Sequence, residues 1–323
     1  MTMRALTLID TRPDYGGVVL DDRPQPEPAA GEVIVKVCAA AVTFVDLLMS
    51  RGGYQFKPSL PYGLGSDFAG EVVTGGERFS AGAPIIGMHR GGAFAEYIAV
   101  PERDLMPKPD RWSFETAAGF GQAYLTAYVA LVRHAHLRRG EWLLVHGASG
   151  GVGLAAVDLG MRMGAKVIAA SASEEKLAAI ERLHAPTAVL NVRGGFREAV
   201  KALTGGGADV VYDPVGGAVF EESLRCTAYH GRVLIVGFAG GTIPSVPMNY
   251  PLIKGLQIIG VRAGEYGRRF PDHAREDRAA LATIAAEGAA RPHAYAAFPL
   301  SEWRRAFAMV EDRQVVGRVI LLP

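Results

Sequence analysis

The chain has 323 residues, 49% of them apolar and 21% charged, which suits two globular domains with real cores rather than a disordered polymer. Its formal net charge is +1 with no long run of one sign, so a general surface for nucleic acid or anionic membrane is not expected. No apolar run reaches the roughly 18 residues of a membrane span. The N-terminal MTMRALTLID lacks a signal-peptide core, so a cytoplasmic location is the expectation. Two isolated cysteines, Cys38 and Cys226, exclude a four-thiolate zinc site and read as buried apolar thiols.

The first ~120 residues read as β-rich. EVIVKVCAAAV (32–42), FAGEVVTGG (68–76) and GGAFAEYIAVP (91–101) are strand patterns, separated by Gly/Pro clusters such as PQPEPAAGE and SAGAP. Residues 113–135 then read as a long apolar helix, started by Ser113 with Glu115 and Thr116. From Gly140 short apolar runs alternate with helices. The strands are 142–147, 166–171, 188–192, 209–213, 232–237 and 256–261, with helices over 154–163, 174–183 and 195–203. Such alternation predicts an α/β fold, a doubly wound parallel sheet of six strands beside a β-rich first domain. The tail from Ser301 is one more helix and one more strand, which is expected to rejoin the first domain. The domains are therefore 1–121 with 292–323, and 122–291.

The best local motif is HGASGGVG (146–153), between the first strand of the α/β half and a helix. Helix N-termini carry free N–H groups and a partial positive charge, and glycine lets the backbone approach a pyrophosphate. Ser149, Gly150, Gly151 and Val152 are the candidate phosphate contacts. Its place at the head of six strand–helix units makes this glycine-rich turn a dinucleotide signal. The second strand ends Ala170-Ser171-Ala172-Ser173, without the acid that holds a free ribose 2′-hydroxyl. Ser171 and Ser173 can donate to a 2′-phosphate, Lys176 can supply charge, and Arg193 follows the third strand. The cofactor expected is NADPH. Glu174 and Glu175 read as first-turn helix acids facing water, and His146 as a structural histidine.

The stretches AAAVTFVDLLMSRGGY, LGSDFAGEV, GGAFAEYIAVP, LLVHGASGGVG, ADVVYDPVGG and GRVLIVGFAGG carry a resemblance to the medium-chain dehydrogenase/reductase superfamily. Within it the chain resembles the zinc-free quinone oxidoreductases, the group that includes zeta-crystallin. The likeness spans essentially the whole chain. It implies a discontinuous GroES-like catalytic domain, a Rossmann domain and a homodimer. Zinc-dependent members carry ligands at positions that here read Thr43, Ser66 and Gln122, none of them a good zinc donor. His134 and His136 are two apart and face different ways on a helix. No metal is expected. Without a Lewis acid to polarise an alcohol or ketone, hydride addition to an already electrophilic partner is the favoured chemistry.

The resemblance implies a substrate and nicotinamide site in the cleft between the domains. Phe44, Val45, Asp46, Thr126 and Tyr128 then approach the cofactor. Gly151 and Val152 lie at the pyrophosphate, and Ala172, Ser173 and Lys176 at the adenosine phosphate. Val215, Gly237, Phe238, Val261 and Arg262 run towards the nicotinamide, and Arg313 matches a cofactor-contacting arginine. Two departures stand out. Thr43 replaces the usual Asn, and Val192 replaces a Tyr near the 2′-phosphate, where Arg193 is expected to take over. Thr43, Tyr54 and Gln122 are the candidate catalytic groups, able to hydrogen-bond the substrate oxygen as negative charge builds there.

The expected activity is NADPH-dependent reduction of a small electrophile, a quinone or an α,β-unsaturated carbonyl compound. One alternative is an enoyl-thioester reductase, whose acyl-CoA or carrier phosphates would meet Arg51 with Lys57, or Arg268 with Arg269. Another is a non-catalytic NADPH-binding protein. No basic stripe with interleaved aromatics favours a nucleic-acid partner.

Overall fold

The computed structural model describes residues 1–323, which divide into two compact units: Met1–Gln122 with Ala282–Pro323, and Ala123–Leu281.

The second unit is built on a six-stranded parallel sheet. Its strands are β1 (Trp142–Val145), β2 (Lys166–Ser171), β3 (Ala188–Asn191), β4 (Ala208–Asp213), β5 (Thr227–Ile235) and β6 (Gln257–Gly260). They stand in the order β3-β2-β1-β4-β5-β6, all neighbours parallel. That is the doubly wound Rossmann order, with the reversal between β1 and β4. The central strands read as unbroken apolar runs because helices cover both faces. Leu143, Leu144, Val145, Val167, Ile168, Ala169 and Ala170 have no exposed surface. β5 starts five residues earlier than its Val/Leu/Ile run suggests. A register break opposite Ala208–Val210 leaves Tyr229 and His230 exposed and lets Thr227 pair with Ala208.

The first unit holds a seven-stranded sheet. Six strands run in the order Ala294–Pro299, Arg318–Leu322, Glu32–Val42, Asp67–Val72, Pro84–Met88 and Leu105–Pro107, and Tyr97–Pro101 also pairs with Glu32–Val42. A three-stranded sheet (Val18–Pro24, Thr2–Leu8, Tyr62–Gly63) packs its apolar side into the same core. The strand Arg318–Leu322 pairs antiparallel with Glu32–Val42, Val319 opposite Val42, so the tail rejoins the seven-stranded sheet of the first unit. Ala294–Pro299, parallel to that strand, went unread in the sequence because AYAAFP offers small residues instead of a β-branched run.

The long helix expected over 113–135 is three pieces. Ser113 does cap the first, Phe114–Ala118, accepting the Thr116 N–H. Gly119 ends it, and a second helix, Gly121–Tyr128, runs into a π-helical turn, Val129–His134. Cys226 is fully buried, but Cys38 is only half-buried, a correction to the expectation for both thiols.

Candidate active site and dinucleotide cradle

In the parallel-sheet unit the glycine turn follows β1. Gly147 takes a left-handed φ of +53°, and Gly150 donates to its carbonyl at 2.9 Å. A Cβ on Gly153 would lie 2.2 Å from the Gly147 oxygen, so only glycine closes this turn. Gly150 is the N-cap of the helix Gly151–Arg162, and no side chain caps it. The first-turn N–H groups thus keep their donors for an anionic ligand. A dinucleotide pyrophosphate fits this cradle.

The other candidate contacts of this unit cluster at the carboxyl ends of the strands, where open α/β sheets bind ligands. Ser171 ends β2 and is buried, and its hydroxyl accepts the Ser173 N–H at 3.3 Å. Ala172 is exposed. Ser173 caps the next helix, Glu174–His184, and accepts the Lys176 N–H at 3.4 Å. Both serines keep a proton to donate. Arg193 is exposed just past β3, and its N–H binds Asn191 Oδ1 at 2.9 Å. Glu174 is exposed as expected, but its carboxylate also accepts the Asn191 side-chain amide. Asn191 is a residue the sequence reading overlooked.

After β4 the Asp213 carboxylate accepts the N–H groups of Val215 (2.7 Å) and Gly216 (3.0 Å), and burial holds its pKa above the usual carboxylate range. Ala239 and Gly240 then bond back to the Pro214 and Val215 carbonyls. These bonds lash the loops after β4 and β5 together and place Val215, Gly237 and Phe238 side by side. Val261 follows β6, bonded to the Ile235 carbonyl at 2.8 Å, and Arg262 caps the helix Ala263–Arg269. Thr126 and half-buried Tyr128 lie on Gly121–Tyr128. Burial, with Asp277 nearby, raises the Tyr128 phenol pKa.

His146 is buried, and desolvation pushes its pKa down to about 3, so it is neutral. Its Nε2 lies 2.8 Å from Ser223 Oγ, whose own proton goes to the Val219 carbonyl at 2.7 Å. Nε2 therefore carries the hydrogen and donates it to Ser223 Oγ. The ring packs on Phe196, a structural role.

In the other unit Thr43 caps the helix Phe44–Ser50 in a capping box with Asp46. Asp46 Oδ2 accepts the Thr43 N–H (2.8 Å) and hydroxyl (2.6 Å), and Oδ1 accepts the Gly65 N–H (3.3 Å). The Thr43 hydroxyl proton is thereby spent on Asp46. This corrects the expectation of a free donor towards a substrate oxygen. The Asp46 side chain likewise belongs to the scaffold, fully buried, with desolvation raising its pKa. Phe44 is exposed, Val45 packs on the core, and Tyr54 is partly buried against the same core. Gln122 donates its backbone N–H to Asp67 Oδ1 at 2.8 Å, and its partly exposed side-chain amide has no partner in the chain. Arg313 sits in a left-handed turn (φ +54°) ahead of the last strand and is exposed.

Thr43, Ser66 and Gln122 do not fit a zinc ion. The two carboxylates near them, Asp46 and Asp67, are fully buried and bonded to backbone, and no three His, Cys, Asp or Glu side chains converge. The expected basic entrances are also committed. Arg51 pairs with Glu311 and covers the Tyr15 ring, Lys57 binds the Gly52 carbonyl, and Arg268 and Arg269 both pair with Glu265.

Comparison with known proteins agrees with this geometry. Residues 29–110 match the alcohol dehydrogenase GroES-like domain, and residues 151–278 match the zinc-binding dehydrogenase family. The chain is 38% identical over 296 residues to quinone oxidoreductase-like protein 2 of Bos taurus, covering 90% of this chain and 84% of that protein. It is 31% identical to acryloyl-coenzyme A reductase of Metallosphaera sedula, over 92% of this chain and 93% of the relative. The quinone oxidoreductase of Thermus thermophilus, solved also with NADPH, superposes with a TM-score of 0.85 at 32% identity, covering 99% of this chain and all of that one. The chain belongs to the zinc-free quinone oxidoreductase group of the medium-chain dehydrogenase/reductase superfamily.

Proposed function

We propose that this protein is an NADPH-dependent, metal-independent reductase of quinones or α,β-unsaturated carbonyl compounds. The observation that carries the reading is the uncapped glycine turn, with Ser171, Ala172 and Ser173 at the end of β2 where an acid would reject a 2′-phosphate. The NADPH complex of the Thermus relative supports the same cofactor.

When bound, NADPH supplies a hydride to the electrophilic carbon of the substrate. The chain holds the pyrophosphate on Ser149, Gly150, Gly151 and Val152. Ser171, Ala172, Ser173, Lys176 and Arg193 meet the 2′-phosphate end. Val215, Gly237, Phe238, Val261 and Arg262 flank the nicotinamide half, with Phe44, Val45, Thr126, Tyr128 and Arg313 completing the cofactor contacts. Charge that builds on the substrate oxygen is met by the unengaged Gln122 amide and the Tyr54 hydroxyl. A quinone or enone needs no Lewis acid for this step, consistent with a donor set that does not fit zinc.

The test is NADPH oxidation at 340 nm with 1,4-benzoquinone, 9,10-phenanthrenequinone, an alkenal and crotonyl-CoA, with and without chelator. Chelator-insensitive turnover preferring NADPH is the expected result. Loss of activity with chelator, or a preference for NADH, would overturn it. A thioester substrate is the second reading, favoured by the acryloyl-coenzyme A reductase relative. The internal pairing of Arg51, Arg268 and Arg269 weighs against it, and crotonyl-CoA in the panel decides.

We further propose a homodimer through β6. It is the edge of the sheet, and the segment before it exposes Ile243, Met248, Leu252 and Ile253, each about 70% exposed or more. Sedimentation at micromolar concentration is expected to show a dimer that Leu252→Glu turns into a monomer.

A further inference from the structure

Asp67 opens the strand Asp67–Val72 and has no exposed surface. Its Oδ1 accepts the Gln122 N–H at 2.8 Å. Its Oδ2 is buried without a hydrogen-bond partner, and Arg318 Nη2 stands 3.9 Å away, beyond hydrogen-bond reach. Arg318 begins the C-terminal strand, is 8% exposed, and keeps a buried Nε without a partner. The other buried carboxylate interacting with both groups is Asp46, already saturated by Thr43 and Gly65. One guanidinium therefore serves two buried carboxyl groups.

This is a costly way to stabilise a core. Desolvating each ion costs several kcal/mol, and a half-satisfied buried network is worse than an apolar one. The backbone is nevertheless drawn tightly onto the carboxylate. A Cβ on Gly121 would stand 2.6 Å from Asp67 Oδ1 and 2.6 Å from Met88 Cγ. The turn so held is the one that carries Gln122. We propose that Asp67 and Arg318 are a positioning pair that fixes the first turn of Gly121–Tyr128 and thereby aims the Gln122 amide at the substrate oxygen. The inference rests on the reading of Gln122 as the donor to that oxygen.

The test is a double-mutant cycle with NADPH and 9,10-phenanthrenequinone. Asp67→Asn keeps an oxygen for the Gln122 N–H but removes the charge opposite Arg318. It is expected to lower kcat about tenfold or more, the scale of a small misplacement, with KM for NADPH within about twofold. Gln122→Ala is expected to lower kcat about 100-fold. In that background Asp67→Asn should add almost nothing, a coupling that a purely structural role would not produce. Arg318→Lys, which keeps the charge without the fork, should fall between wild type and Asp67→Asn. Additive losses, or a kcat loss matched by a rise in the NADPH KM, overturn the pair. Full kcat in Asp67→Asn with a damaged Gln122→Ala overturns the pair alone. Full kcat in Gln122→Ala overturns the reading of Gln122 and the pair with it. If Asp67→Asn does not fold, Arg318→Lys enters the same cycle with the same outcomes.

Discussion

In the unit built on Glu32–Val42, the buried Asp67 meets its cation only at 3.9 Å and leaves one oxygen unbonded. In the parallel-sheet unit, the equally buried Asp277 takes Arg133 Nε at 2.7 Å, and Asp213 takes two backbone N–H groups. The candidate ligand contacts differ in the same sense. In the parallel-sheet unit the pyrophosphate cradle and the Ser171–Ser173 segment are backbone groups and short side chains at strand ends, carried by turns that need only local geometry. In the other unit, Gln122 takes its place from a buried carboxylate, Asp67, that comes from a distant strand. The difference teaches that cofactor binding should be broken by local backbone changes, whereas turnover should respond to charges that touch no ligand.

The largest expected effect breaks the cradle. Gly153→Val places atoms against the Gly147 carbonyl, which already lies 2.2 Å from an added Cβ. At ~3 kcal/mol for such overpacking, NADPH affinity should fall about 100-fold or more, read by fluorescence titration. Wild-type affinity in this variant would show that the turn does not hold the pyrophosphate.

Arg193→Ala sharpens the comparison within the parallel-sheet unit. Loss of one charge-assisted contact to the 2′-phosphate should raise the NADPH KM about tenfold and leave the NADH KM nearly unchanged. An unchanged NADPH KM would remove Arg193 from the site and leave Lys176 and the serines to hold that phosphate.

A third test, read on stability rather than on binding, is a pair of opposed pH dependences. Burial pushes the Asp67 carboxyl up to about 7, from about 3.9 when unfolded. Between those values the folded state holds a proton that the unfolded state releases. Its contribution is fully present below about pH 4 and is lost as pH rises through 7. His146, pushed down to about 3 from about 6.5, acts the other way: its contribution is present above about pH 6.5 and is lost as pH falls towards 3. From pH 5 to 7 the two slopes largely cancel. Relative to wild type, Asp67→Asn should gain stability on going from pH 5 to 7, and His146→Gln should lose it. Each change is about 2 kcal/mol, measured by denaturant melts at both pH values. Parallel curves for either variant and wild type would mean that the group does not titrate as its burial dictates.

Much of the parallel-sheet unit was legible because its signals are short. HGASGGVG declares a turn whose glycine requirement is met within eight residues, and the apolar runs declare strands covered on both faces. The capping box of Thr43 and Asp46 is equally local, a threonine three residues before an acid, and it agrees with reading Asp46 as a capping residue rather than a participant in the chemistry. The unbroken helix expected over 113–135 fails at Gly119 and Gly121. Gly121 opens the second helix, and Asp67, far away in sequence, leaves no room for a Cβ there.

By itself the sequence determined the superfamily, the order and type of the parallel-sheet elements, the phosphate turn and the absence of zinc-ligating residue types at Thr43, Ser66 and Gln122. Each follows from residue identity within a short window, where backbone sterics and donor chemistry suffice. The tertiary structure decided which side chains are spent. Thr43 gives its proton to Asp46, Glu174 takes the Asn191 amide, and Arg51 is tied to Glu311. It also brought Arg318 of the last strand to Asp67, 251 positions earlier in the chain. Burial and charge pairing depend on which distant segments share a core, and no local pattern encodes that.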